Sequence, residues 1–149
     1  GGFASAQDAD TEGVEGLTFT WAPGEGAPEE LLEPFEHGRF VLRGELDEPS
    51  RARLFELREQ RPKPLRDDKA IAAENGLMLA ALAQAGRIGP ATELARFLLG
   101  PLSTPDGRLH RTVRDGGAKG TVVREDYADV AYGLMELHVA SGDPRCLLE

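Results

Sequence analysis

The sequence predicts an all-α fold, part of a ring of helical hairpins, on three observations. The first is a near-repeat. Arg66 to Gly86 and Arg124 to Gly142 each open on acids (Asp67-Asp68, then Glu125-Asp126), pass through Gly-Leu-Met (Gly76 to Met78, then Gly133 to Met135) and close on a glycine. The second is the distance between the copies, which leaves room for another helix and a turn, as in arrays of helical hairpins. The third is that the first copy carries apolar residues on nearly every side (Ile71, Ala72, Leu77, Met78, Leu79, Ala81 and Leu82), the mark of a helix buried on most faces. Such units bury their apolar faces only against one another, and roughly three or more are needed for stability. A chain of 149 residues holding about two of them reads as part of a larger toroid.

The elements follow in order. Residues 1–46 form a loop-rich opening, and 47–149 carry the helical hairpins of the same domain. Within the opening, Gly1 to Pro28 is rich in Gly, Ala and acids, and Leu17 to Trp21 alternates apolar residues with Thr as a short strand does. Glu29 to Leu32 can start a helix that Pro34 and Gly38 stop, and Arg39 to Leu42 is strand-like. Asp47, Glu48, Pro49 and Ser50 are a helix start, and Ala52 to Gln60 continues it until Pro62 and Pro64. The first copy of the repeat runs as a helix from Asp67 to Ala85, its small residues permitting close helix approach. Thr92 to Leu99 is a shorter amphipathic helix, and Arg108 to Val113 is one arm of a hairpin or extended loop closing at Asp115-Gly116-Gly117. The second copy is a helix from Glu125 to Ser141, capped by Gly142. After it, Asp143-Pro144 opens a further helix that the sequence cuts short, which together with the missing initiating Met reads as a fragment of a longer protein.

Composition narrows the partners. A net charge of -9 argues against nucleic acid and anionic lipid surfaces, and no apolar run approaches the ~18 residues that span a bilayer. With no signal-peptide pattern either, a cytoplasmic protein is expected. The single cysteine, Cys146, excludes an internal disulfide framework and any Cys-x-x-Cys motif. His37, His110 and His138 lack metal-ligand spacing, and Gly116-Gly117-Ala118-Lys119-Gly120 lacks the spacing of a phosphate loop. No metal and no cofactor are expected.

Acids at the starts of the two repeated helices carry the functional candidacy. A carboxylate there is favoured by the helix dipole, by about 0.3 to 1 kcal/mol, which explains it without any function. If the helices converge at one mouth of a ring, however, one acid from each faces a shared cavity and can serve as acid or base on a sugar. Asp68 and Asp126 are the expected catalytic pair because they hold matching places in the repeat. Around them, Trp21 is a candidate to stack on a sugar ring, Asn75 to orient a hydroxyl, and Tyr127, Asp8 and Asp10 to line the site. Each has a structural alternative: Trp21 as a strand anchor, Asn75 as a link between helices, Asp8 and Asp10 as braces of their loop.

A resemblance runs through these residues. Gly1 to Gly13, Glu15 to Trp21, Arg61 to Lys69 with Asn75 to Met78, and Glu125 to Ala128 with Gly142 to Arg145 look like the spermatogenesis-associated protein 20 family of thioredoxin-domain-containing proteins, in matching order over nearly the whole chain. The resemblance implies an (α/α)6 toroid, similar to six-hairpin glycosidases and N-acylglucosamine 2-epimerases, downstream of a thioredoxin-like domain that is not in this chain. Glu74 stands where the family usually has Trp. Two functions follow: a carbohydrate-active toroid, hydrolase or epimerase-like, or a non-catalytic scaffold for the thioredoxin-like domain. The expected partners are a sugar or small polar ligand and that upstream domain, together with self-association through faces that the missing hairpins would cover.

Overall fold

The computed structural model describes residues 1–147, and its first helix begins at the cap read from the sequence. Asp47 accepts the Ser50 N–H at 2.9 Å, Pro49 occupies the first turn, and α1 runs Glu48–Glu59. The other helices are α2 (Ala72–Gln84), α3 (Ile88–Leu99) and α4 (Arg124–Ser141). The all-α expectation is corrected. Among the described residues these four helices stand beside nine strands of two or three residues in small antiparallel sheets, so the architecture is an α/β mix and not an all-α toroid.

The reason lies in the connections. Turn residues between the helices fold back on themselves and satisfy their backbone groups as short ladders instead of leaving them to solvent. Thr112–Arg114 pairs with Gly117–Lys119 across Asp115 and Gly116, both at positive φ (51° and 73°), as a tight hairpin turn requires. Ala70–Ile71 adds a third strand against Thr112–Val113. This takes the start of the repeated passage out of the helix: α2 opens at Ala72, whose N–H donates to Arg111 O at 2.9 Å, and not at Asp67. The strand expected at Leu17 to Trp21 is a turn, closed by the Thr20 hydroxyl donating to Gly16 O at 2.8 Å. Only Trp21 joins a bridge, with Phe40.

The chain divides into two compact units. One, Gln7–Arg66, contains α1 and the hairpins Asp10–Thr11 with Val14–Glu15 and Leu32–Pro34 with Phe40–Leu42, around a small core of Trp21, Ala27 and Leu54. The other joins Gly1–Ala6 to the chain from Asp67 onward. Its core is larger, with Leu79, Leu94, Leu98, Leu102, Leu134 and Leu137 from α2, α3, α4 and the turn after α3.

The two copies of Gly-Leu-Met meet in that core. A Cβ placed on Gly76 would lie 2.5 Å from Asp129 C and 2.6 Å from Val130 N, and one on Gly133 would strike Gly76 O and come within 3.0 Å of Leu79 Cβ. Contacts thus advance along α2 and α4 in the same direction, so the helices run parallel with their backbones touching. Both helices also begin at Arg111, which receives Ala72 N–H on its carbonyl and has its guanidinium 3.9 Å from Asp126.

Candidate functional site

The expected catalytic carboxylates occupy unlike places. Asp126 lies in the first turn of α4, where Oδ2 accepts the Val123 N–H at 2.9 Å, half of a capping box. It is fully buried, and its Oδ1 is, among the described residues, the buried side-chain polar atom without a hydrogen-bond partner. Asp68 is exposed and precedes α2, in the turn between Arg66–Asp67 and Ala70–Ile71. The matching positions in the repeat do not become matching positions in space because the sheet delays the start of α2. Its neighbour Asp67 accepts the Lys69 N–H at 3.2 Å and lies 3.3 Å from Lys69 Nζ and 3.8 Å from Arg114. Those bonds hold the Asp67 carboxyl below the usual range.

The surrounding candidates have structural partners. Asn75 is buried in α2, where its Oδ1 accepts the Phe3 N–H at 2.7 Å and its Nδ2 donates to Phe3 O at 3.1 Å and Ile71 O at 2.9 Å. The amide therefore splices the N-terminal segment to the helix. Trp21 is a core residue, and the Arg61 guanidinium covers its ring at 4.2 Å from the centroid. Tyr127 is exposed, with its hydroxyl accepting the Leu109 N–H at 3.4 Å. Asp8 Oδ1 accepts the Asp10 N–H at 3.2 Å, and Asp10 sits in the ladder opposite Glu15, so both brace their loop. Among the described residues, no three His, Cys, Asp or Glu side chains converge as a metal-holding group, and no helix is long and apolar enough to cross a membrane.

Two further features bear on function: the first gives residues to the uncovered apolar faces expected from the missing hairpins, and the second was not read from the sequence. One is an apolar face on the α2–α4 pair. Tyr132, Met135 and Val139 line one side of α4, Leu77, Met78 and Ala81 one side of α2, and all are exposed, Val139 at 79% and Met135 at 58%. Gln84 Nε2 donates to the Tyr132 hydroxyl at 2.9 Å where the stripes meet. The signal for it was present in the first copy of the repeat, which is apolar on nearly every side, so a second apolar side was there to be left uncovered.

The other is a charge cluster in the Gln7–Arg66 unit, where Glu25 Oε2 lies 3.1 Å from Arg39 Nη2 and 2.8 Å from Arg61 Nη2. Partial burial works against ionisation of Glu25, but the Ala22 N–H and the two guanidiniums outweigh it and hold its carboxyl below the usual range. A depressed folded-state pKa gives stability that is complete above the unfolded value, about 4.3 for Glu, and is lost as pH falls through the folded one. Denaturant titrations are therefore expected to show the unit weakening below about pH 4, and Glu25→Gln is expected to flatten that dependence. In the other unit Arg145 holds the Asp143 carboxyl down at about 2, but that pair is open to solvent and contributes little.

Between α3 and α4 lies an open cavity of about 360 Å³ with Leu99, Leu134, Leu137 and Cys146 on its walls. Burial, and then the carboxylate of Asp143, push the Cys146 thiol up, which keeps it protonated and a poor nucleophile at neutral pH.

No protein-family model matches the chain. Among curated proteins it is 40% identical over 112 residues to spermatogenesis-associated protein 20 of Rattus norvegicus and of Homo sapiens. To the Mus musculus protein of that name it is 38% identical over 112 residues. Each match covers 64% of this chain and 14% of the relative, so the chain corresponds to a segment of those proteins and spans a small part of their length.

Proposed function

We propose that the chain is a non-catalytic interaction scaffold whose α2–α4 face is covered by another apolar surface of a longer polypeptide. The observation that carries this reading is the paired stripe of Leu77, Met78, Tyr132, Met135 and Val139, exposed on helices whose opposite sides form the core. Apolar surface of this kind, continuous over two helices, marks an interaction site on a soluble domain. The share of the relatives' length that the chain spans supports a covering element from the same polypeptide, and the thioredoxin-like domain implied by the sequence resemblance is one such element. The engaged positions of Asp126, Asn75 and Trp21 favour the scaffold over the carbohydrate-active reading, since acid, orienting amide and stacking ring are each enclosed.

With its covering element absent, the 149-residue chain is expected to associate with itself and to bind a hydrophobic dye, the more so at high salt, which screens its net charge of -9. In sedimentation experiments Met135→Glu with Val139→Glu should give a monodisperse, dye-silent chain with stability changed by no more than roughly 0.5 kcal/mol, as for other exposed sites. A wild-type chain that is already monodisperse and dye-silent overturns the proposal. Binding to a sugar panel decides for the alternative: a sugar affinity lost in Asp68→Asn or Asp126→Asn at unchanged stability replaces the scaffold with a carbohydrate site.

A further inference from the structure

Arg39 precedes the strand Phe40–Leu42 and Arg61 follows α1, yet both guanidiniums converge on Glu25. Their side chains are only 14% and 18% exposed, so their charges are largely withdrawn from water. The remaining acceptors are neutral: Arg39 donates to Thr20 O and Oγ1, and Arg61 Nη1 to Thr18 O and Thr20 O. Two cations thus share one anion. Arg58 brings a third positive charge to the edge of the cluster, its guanidinium 5.7 Å and 5.5 Å from the rings of Phe19 and Phe55. An excess of charge withdrawn from water is costly unless something compensates it.

A cavity of about 190 Å³ opens beside the cluster, lined by Arg39, Arg61, Glu25, Thr11, Thr18 and Pro62 among others. That is room for a small group rather than a single water. Away from the guanidiniums its lining is mostly apolar and is tied in place by two internal bonds: the Thr11 and Thr18 hydroxyls bond each other at 2.7 Å, and the Thr18 hydroxyl donates to Pro62 O at 2.7 Å. Among the described residues the Nε–H of Arg61 has no hydrogen-bond partner, and neither does one hydrogen of its Nη2. A guanidinium presents such hydrogens as a fork that fits carboxylate and phosphate oxygens.

We infer that this cavity is a binding site for a compact oxyanion, a phosphate or carboxylate group, held by Arg61 and Arg39 with Glu25 as the internal anion that competes for them. The site is independent of the α2–α4 face. Burial pushes the Arg61 guanidinium down from its ordinary value, Glu25 opposes this, and Arg39 and Arg58 add to it, as expected where positive charge is under-compensated.

Trp21 supplies the readout. It is the only tryptophan, and Arg61 lies over its ring, so an anion that draws on Arg61 alters its fluorescence. Inorganic phosphate and acetate are titrated separately into the 149-residue chain against chloride at constant ionic strength. A saturable change with phosphate or acetate and none with chloride is expected, and whichever saturates at the lower concentration identifies the group the site takes. Glu25→Gln, which removes the competitor and keeps the shape, should tighten binding by about tenfold, and Arg61→Lys, which loses the fork, should weaken it by about tenfold. A response equal to that of chloride overturns the inference. So does an affinity unchanged in Glu25→Gln, and this second arm decides alone if Arg61→Lys fails to fold.

Discussion

Gly76→Ala and Gly133→Ala are each expected to destabilise the α2–α4 pair by about 3 kcal/mol, toward the upper end for overpacked sites. The new methyl meets backbone, not a side chain that can turn aside: Asp129 C at 2.5 Å for Gly76, and Gly76 O for Gly133. Relief to an ordinary carbon contact of ~3.5 to 4.0 Å demands that the helices separate. Separation strips Leu79, which is fully buried against Gly133, of its packing. Alanine's better helix propensity returns only about 1 kcal/mol. For a protein of this size, a loss of about 3 kcal/mol lowers Tm by roughly 10 °C. Gly89→Ala in α3 is the control, because nothing lies within 4 Å of its added Cβ, and it should be neutral or slightly stabilising. The double variant Gly76→Ala with Gly133→Ala should cost less than the sum, since one separation of the helices serves both methyls. Thermal melts in which the singles match Gly89→Ala would show that the helices do not touch at these glycines.

The glycines mark the limit of what local patterns convey. The repeat of Gly-Leu-Met was visible in the sequence, and so were the Asp47 cap, the Asp115-Gly116 turn and the Gly142 stop, because each depends on residues a few positions apart. The start of α2 was not, since the passage from Asp67 to Ile71 suits a helix until Ala70–Ile71 finds Thr112–Val113 as a strand partner. That displacement also undoes the equivalence of Asp68 and Asp126, on which the expected acid pair rested. The all-α reading failed because it gave these connections too little weight: three of them close as local hairpins, Asp10–Thr11 with Val14–Glu15, Leu32–Pro34 with Phe40–Leu42 and Thr112–Arg114 with Gly117–Lys119, and the last recruits Ala70–Ile71 from a distance.

Side-chain roles were lost in the same way. Trp21 is a plausible stacking platform until Arg61 arrives over its ring from 40 positions on. The Arg39, Arg61 and Glu25 cluster joins residues separated by 14 and 36 positions, with no motif to announce it. A burial pattern could have hinted at it, since Thr18, Thr20 and Trp21 are three buried or bridging residues in a stretch otherwise rich in Gly and acids. Their need for donors and covering groups pointed to a cation that the local sequence does not supply.

Asn75→Asp is expected to destabilise the chain at neutral pH by about 3 kcal/mol, the scale of a buried hydrogen-bonding group left opposed to its partners. The substitution keeps the shape and the bond from Phe3 N–H, which reaches Oδ1 at 2.7 Å. The second oxygen replaces a donor. Where Nδ2 gave hydrogens to Phe3 O at 3.1 Å and Ile71 O at 2.9 Å, a carboxylate oxygen faces two carbonyl oxygens in a site that is 1% exposed. Desolvation and those carbonyls both disfavour the charged form, so the new carboxyl should have a pKa raised above its unfolded value. Its charge is then a penalty that acidification removes: the stability of Asn75→Asp relative to wild type should recover as pH falls from 7 toward 5. This runs opposite to Glu25, whose depressed carboxyl makes the wild-type chain weaker in acid. Denaturant unfolding of both chains at pH 7 and pH 5 measures the difference directly. An Asn75 that contacted ligand instead of the Phe3 backbone would leave stability unchanged at both pH values, and that result would remove the splice between the N-terminal segment and α2.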